Sequence, residues 1–210
     1  MKLAVLGATG YVGSAVLDEA LSRGHAVRAL ARKPGRLEAR AGLEKVQGDA
    51  LDPSALDTLI EGVDAVIQSL GVGGLGHGRL DDRISRATES LILRMGVKGP
   101  RRLVCISNVG TGGSHLSWIA RRIVYPLFIP NLLPIMADKE AMEAALAGSS
   151  LDWSSIRFPD IADRPSRGRL RLSRDGRGIG ISIPLRDAAR LIVDAAESPT
   201  GLRGGFSASA

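Results

Sequence analysis

Glycines stand at positions 7, 10 and 13 of the run Gly7-Ala8-Thr9-Gly10-Tyr11-Val12-Gly13, which follows the apolar stretch Leu3-Ala4-Val5-Leu6 and opens a segment of helical character. That spacing suits the binding of a pyrophosphate. The backbone must turn tightly, approach the ligand with no Cβ in the way and let the helix pack closely on its strand, and the three glycines serve these needs in turn. The free N–H groups that open the helix, at the positive end of its dipole, then face the negative charge. Thr9, Tyr11 and Val12 complete the expected cradle. A glycine-rich match alone is weak; the order strand, turn, helix, second strand makes it an expectation of a dinucleotide site.

About twenty residues beyond such glycines, at the end of the second strand, a carboxylate accepts the ribose hydroxyls of NAD, whereas an arginine pairs with the 2′-phosphate of NADP. The chain has Arg32 there, with Lys33 and Arg36 beside it and no Asp or Glu between Gly24 and Leu37. NADP is therefore the expected coenzyme, and NAD is less favoured. After the third strand comes Gly48-Asp49-Ala50, where Asp49 can accept from the adenine amine while Ala50 packs on the ring. The other reading of Asp49 is an ordinary turn residue. After the fourth strand, Ser69-Leu70-Gly71 and the glycine-rich stretch 72–78 let the chain pass close to ribose and pyrophosphate.

These groups need a frame. Short Val/Ile/Leu-rich runs at 2–6, 26–31, 43–47, 65–69, 103–106 and 153–156 read as buried parallel strands. Helical segments at 11–23, 53–61, 81–95, 138–147 and 185–197 separate most of them, punctuated by Gly24, Gly62, Gly96 and Gly148, with Asp52 as an expected N-cap. Such alternation predicts an α/β doubly wound parallel sheet, one domain over 1–210, with ligands at the carboxyl ends of the strands. Two segments break the rhythm, 108–136 and 160–183. The second reads as a short hairpin of 170–172 with 179–183 around Arg174-Asp175-Gly176. Both are expected as small insertions on the substrate side.

Bulk properties exclude other classes. Net charge is +6, yet apart from 28–40 and 164–177 the basic residues are scattered, and aromatics at 3% leave little to stack on bases, so no nucleic-acid partner is expected. Cys105 is the single cysteine and lies in a strand run, which forbids an intrachain disulfide and fits a reducing cytoplasm. His25, His77 and His115 are too dispersed for a metal site. The first apolar run breaks at Gly7, too short for a signal peptide. The apolar stretch 123–137 is interrupted by Pro126, Pro130 and Pro134, so no stable membrane insertion is expected.

Val5 to Gly13, Ala29-Leu30-Ala31-Arg32, Gly48-Asp49-Ala50-Leu51-Asp52, Asp64-Ala65-Val66-Ile67, Ile106-Ser107 and Leu151-Asp152-Trp153-Ser154-Ser155-Ile156-Arg157 together resemble the atypical short-chain dehydrogenase/reductases. Within that group the likeness is to the NAD(P)-binding flavin reductase/biliverdin reductase B type and its NmrA-like relatives. The resemblance implies a Rossmann-like sheet of order 3-2-1-4-5-6, NADP on the glycine loop, Ser107 at the active site, and Phe158, Pro159 and Ile161 along the nicotinamide.

One departure bears on mechanism. Typical short-chain dehydrogenases carry a YxxxK pair, in which the ammonium lowers the pKa of the tyrosine that passes a proton to a carbonyl oxygen. Here Lys139 has Ile135 at that distance, and the only tyrosines are Tyr11 and Tyr125. Ketone chemistry through that dyad is disfavoured. A flavin, quinone or similar planar acceptor relaxes the requirement, because charge spreads over the ring system and positioning carries most of the catalysis. The expectation is thus an NADPH-dependent reductase of such an acceptor. Ser107 would donate a hydrogen bond and Lys139 stabilise negative charge, unless Lys139 is an exposed helix residue. Trp118, Ile119, Leu127, Phe128 and Leu132 would wall the pocket, form a surface or fill the core. The alternative is a non-catalytic, NADP-binding redox sensor of the NmrA-like type, meeting a protein partner or a second copy through 108–136.

Overall fold

Aliphatic runs of four to seven residues, flanked by glycine-bearing turns, form the central strands of a sheet covered by helices on both faces. The computed structural model describes residues 1–71, 82–115, 122, 127, 132–166, 168–198 and 202–210. The first half comprises β1 (Lys2–Leu6), α1 (Tyr11–Ser22), β2 (Ala26–Ala31), a 3-10 turn (Pro34–Arg36), β3 (Leu43–Gln47), α2 (Pro53–Ile60) and β4 (Ala65–Gln68). The second half comprises α3 (Arg83–Lys98), β5 (Arg102–Asn108), α4 (Leu132–Ala147), β6 (Asp152–Phe158), β7 (Asp160–Ala162), β8 (Arg171–Ser173), β9 (Ser182–Pro184), α5 (Leu185–Glu197) and β10 (Gly204–Ser209).

The main sheet has the order β3-β2-β1-β4-β5-β6-β10-β8. The expected 3-2-1-4-5-6 is there, extended by two strands, and every pairing but β10 with β8 is parallel. On one face Val5, Val16, Ala29, Ile67, Val104, Ile156 and Ile192 join α1 and α5 to the strands; on the other Leu6, Leu56, Leu91, Cys105, Met142 and Leu146 join α2, α3 and α4. Alternate residues of each central strand thus enter opposite cores, which is why these strands read as continuous apolar runs.

Local signals set several element ends. Asp52 Oδ1 accepts from the Ser54 amide at 3.0 Å and caps α2, ahead of Pro53 at the first helical position. Gly24 closes α1 at φ +79°, a conformation that suits glycine. Gly96 does not end its helix: α3 runs on to Lys98, and Gly99 lies so close to the Cα of Met95 that a Cβ there would sit 2.7 Å away.

The hairpin expected of 170–172 and 179–183 does not form. Strand β8 lies antiparallel to β10, pairing Ser173 with Ser207 and Arg171 with Ser209, while β9 pairs in parallel with β7. A turn is present at 173–177, where Asp175 Oδ1 accepts from Ser173 Oγ and the Arg177 amide. It feeds a loop whose Asp175 carbonyl accepts from the amide of His115. Long-range pairing with β10 wins because Phe206 and Ala208 bury in the core and Ser207 and Ser209 are fully covered. The small, polar composition of β10 hid it from a search for aliphatic runs. Among the described residues no helix is long and apolar enough to cross a membrane.

Candidate active site at the carboxyl ends of the strands

The turn from β1 to α1 is shaped by contacts that leave no room for side chains. Gly7 has φ +81°, and a Cβ on it would lie 2.6 Å from the carbonyl oxygen of Ser69. A Cβ on Gly13 would lie 2.0 Å from the Gly7 carbonyl oxygen and 2.6 Å from Ser69 Oγ. Helix, turn and the end of β4 therefore touch through backbone, and Ser69 Oγ donates to the Leu6 carbonyl at 2.7 Å to hold them together. Gly10 opens α1 with no side-chain cap, and the first turn holds no acidic residue. Its amides are left for an anion, and the cradle fits a pyrophosphate.

Around this cradle, Thr9, Gly10, Tyr11 and Gly71 are exposed, Val12, Ser69 and Leu70 are half-buried, and Ala50 is buried. Arg32 and Arg36 lie exposed past the end of β2. Asp49 is already engaged: it accepts from the Leu51 amide at 3.0 Å and from Arg83 Nη1 at 2.9 and 3.1 Å. Its partial burial opposes ionisation, but the Leu51 amide, Arg83 and the nearby charge of Arg32 outweigh that and hold the carboxyl below its usual range. The sequence pointed to Asp49 without its partner Arg83, which arrives from α3.

A second set of groups gathers where β5 and β6 end. Helix α4 turns Ile135, Met136, Asp138, Lys139, Met142, Glu143 and Leu146 inward, so a stripe of helical period carries three ionisable side chains into the protein. Asp138 accepts from the amides of Ile84 and Ser85, each at 2.9 Å, and so caps α3 from another helix. Glu143 takes Arg157 Nε on both oxygens at 3.0 Å, and Arg157 Nη2 also donates to Glu143 and to the Gly112 carbonyl. Both side chains are buried. Burial works against the Glu143 carboxylate, but the bonds from Arg157, Ser107 and Thr111 hold its pKa below the ordinary value. Gly112, at φ +54°, lies directly on the pair, where a Cβ would stand 1.9 Å from Glu143 Oε2.

Ser107 is 1% exposed and pairs in register with Arg157 across the sheet. Its Oγ lies 2.8 Å from Thr111 Oγ1, which itself reaches the Asn108 carbonyl at 2.7 Å and Glu143 Oε1 at 2.9 Å. Either hydroxyl can donate in the Ser107–Thr111 contact, and Ser107 also hydrogen-bonds the Glu143 carboxylate.

Lys139 is 7% exposed, not an exposed helix residue. Burial pushes its pKa down to about 8, with Cys105, Glu143 and Asp138 pulling the other way. Cys105 is fully buried, and burial pushes its thiol well above the ordinary range. Pro159 is half-buried beside the buried Phe158, whose carbonyl accepts from the Val109 amide. Leu127 is exposed and Leu132 half-buried, while Trp118, Ile119, Phe128, Tyr125, His77 and the stretch 72–78 lie outside the described residues. Among the described residues no cluster of His, Cys, Asp and Glu fits a metal ion.

Thr111, Glu143, Arg157, Asp138 and Arg83 were not singled out from the sequence. Glu143 had a readable signal, since it follows Lys139 by four residues and so shares its helix face.

Comparison with known proteins agrees with this geometry. A family profile described as NAD(P)H-binding matches residues 7–199. YwnB of Bacillus subtilis, an uncharacterized protein, is 34% identical over 162 residues, which span 74% of this chain and 70% of that one. Other curated relatives are longer: the chain spans 44% of one matched at 27% identity and 42% of another matched at 26%. Among solved structures, the anaerobilin reductase ChuY of Escherichia coli O157:H7 superposes with a TM-score of 0.80 at 22% identity, covering 100% of this chain and 97% of that one. A short-chain dehydrogenase/reductase of Veillonella parvula, solved with NADP, gives 0.81 at 15% identity, covering 100% and 94%. These two likenesses are of fold.

Proposed function

The chain belongs to the NAD(P)H-binding family of Rossmann-like, atypical short-chain dehydrogenase/reductases, and from that premise we propose that it is an NADPH-dependent reductase of a planar conjugated acceptor such as a flavin or quinone. The observation that carries the proposal is the glycine-lined, uncapped anion cradle of Gly7, Gly10 and Gly13, together with the burial of Lys139 and Ser107 in the enclosed group of side chains.

The coenzyme supplies a hydride when bound. The protein's own part is to hold and orient it. The α1 amides and the glycine turn take the pyrophosphate, Ala50 and Asp49 with its partner Arg83 border the adenine, and Pro159 and Ser107 border the nicotinamide. Arg32, with Arg36, takes a 2′-phosphate, which favours NADP because no carboxylate stands nearby in 25–36 to receive the ribose hydroxyls of NAD. ChuY, an anaerobilin reductase, and the NADP in the Veillonella structure lend support from the same fold.

The test is NADPH oxidation with FMN and a panel of quinones. Turnover above the uncatalysed background with at least one acceptor is expected; background rates with every acceptor would overturn the proposal.

A further inference from the structure

A carboxylate at the end of β3 conflicts with a coenzyme that carries a phosphate on its adenosine ribose. Strands β2 and β3 end level, with Ala31 in register with Gln47 and the Gly48 amide donating to the Ala31 carbonyl at 3.2 Å. Arg32 and Asp49 therefore leave neighbouring strands close together, and the charge of Arg32 acts on the carboxylate. An uncompensated Asp49 would engage Arg32 and repel the phosphate that Arg32 is to hold. The structure supplies a second cation. Arg83 Nη1 donates to Asp49 Oδ1 at 2.9 Å and to Oδ2 at 3.1 Å, and the Leu51 amide donates to Oδ1 at 3.0 Å.

We infer that Arg83 is a specificity residue for the coenzyme: by neutralising Asp49 it leaves Arg32 to the 2′-phosphate of NADP, and it acts through Asp49 rather than on the phosphate. The inference rests on the coenzyme reading above. Asp49 keeps its own use, because Oδ2 has a lone pair left beside the Arg83 bond for the adenine amine. With Arg83 in place, the two guanidiniums and one carboxylate leave a positive charge in surplus. Without it, Asp49 turns its charge on Arg32, and the site loses its advantage for a phosphate over a ribose hydroxyl.

The position of Arg83 is fixed from two sides. It is the first residue of α3, and Asp138 on α4 accepts from the next two amides, those of Ile84 and Ser85, at 2.9 Å each, which pins the start of the helix. Its own side chain is 38% exposed and that of Asp49 is 36% exposed, so the pair is open to a ligand. An ion pair this exposed adds little to stability, so Arg83→Met is expected to fold. The same exposure leaves the field of Asp49 partly screened, which limits the effect on binding to a moderate one.

The experiment titrates NADPH and NADH separately into the full chain by calorimetry, for wild type, Arg83→Met, Arg83→Lys, Asp49→Asn and the double variant that carries Arg83→Met with Asp49→Asn. The readout is the ratio of the two dissociation constants, in which any change in an adenine contact shared by both coenzymes cancels. Arg83→Met should lower the preference for NADPH by about tenfold, the size of one charge interaction in a partly exposed site. Arg83→Lys keeps the charge and should retain most of the preference, and Asp49→Asn alone should not reduce it. In the double variant no carboxylate remains to be neutralised, and the preference should return to within about threefold of wild type, the sign of two coupled residues. Equal losses for both coenzymes in Arg83→Met would make the arginine merely structural and overturn the inference. A lost preference that Asp49→Asn does not restore would also overturn it, since the arginine would then hold the phosphate itself. So would an unchanged preference in Arg83→Met. These three results leave the coenzyme reading standing, whereas a wild type that binds NADPH no better than NADH would overturn both the inference and the 2′-phosphate assignment.

Discussion

At the end of β1 the groups offered to a ligand are backbone amides, framed by positions that admit no Cβ; at the ends of β5 and β6 they are side chains, held by one another. The first region is open, with Thr9, Gly10 and Tyr11 exposed and an uncapped helix behind them. The second is enclosed, with Ser107, Lys139, Glu143 and Arg157 all buried. The contrast separates two tasks. Binding a phosphate needs partial charges in fixed positions and tolerates water. Moving a proton to an acceptor needs a group whose protonation is balanced, and burial provides that balance.

Substitutions can break this contrast at either end. The largest effect is expected for Glu143→Ala, which strands Arg157 in the core and should cost about 3–5 kcal/mol of stability in denaturant unfolding. The sign with pH follows from the lowered pKa of Glu143. Its contribution is complete at neutral pH and above the ordinary value of 4.5, and is lost as the pH falls through the lower folded value. Unfolding curves of wild type and Glu143→Ala should therefore converge in acid.

Arg32→Ala should weaken NADPH binding by about 1.5–3 kcal/mol, the worth of a charged hydrogen bond, and leave NADH nearly unchanged. Equal losses for the two coenzymes in parallel titrations would remove the 2′-phosphate assignment. Gly13→Ala places a methyl 2.0 Å from the Gly7 carbonyl oxygen, and overpacking of that kind costs about 1–3 kcal/mol, here felt in both thermal unfolding and coenzyme affinity. The smallest effect is expected for Asp138→Ala, about 1 kcal/mol for a lost helix cap. It sharpens the comparison, because kcat should fall while NADPH affinity holds if α4 positions Lys139.

The coenzyme half was legible in the sequence for the same physical reason that it is open. Its demands fall on backbone, and backbone demands are written locally, as Gly7, Gly10 and Gly13 between an apolar run and a helix. The doubly wound architecture followed from strand runs that bury both faces, such as Val5 with Leu6 and Val104 with Cys105, while the strand order came from the family resemblance. The enclosed half was legible only in part. Ser107 and Lys139 could be named, but their settings depend on partners far away in the chain: Glu143 with Arg157, Asp138 with Ile84, Thr111 with Glu143. The same limit concealed β10, whose pairing with β6 and β8 outweighs the local turn at 173–177. Asp49 shows both cases at once, as the turn residue was found and its Arg83 partner was not.

The account depends most directly on a coenzyme phosphate seated at the start of α1, and calorimetric titration of NADPH and NADH into the purified chain tests that. The predicted result is saturable binding of NADPH with weaker binding of NADH. Absence of measurable affinity for either coenzyme would contradict it.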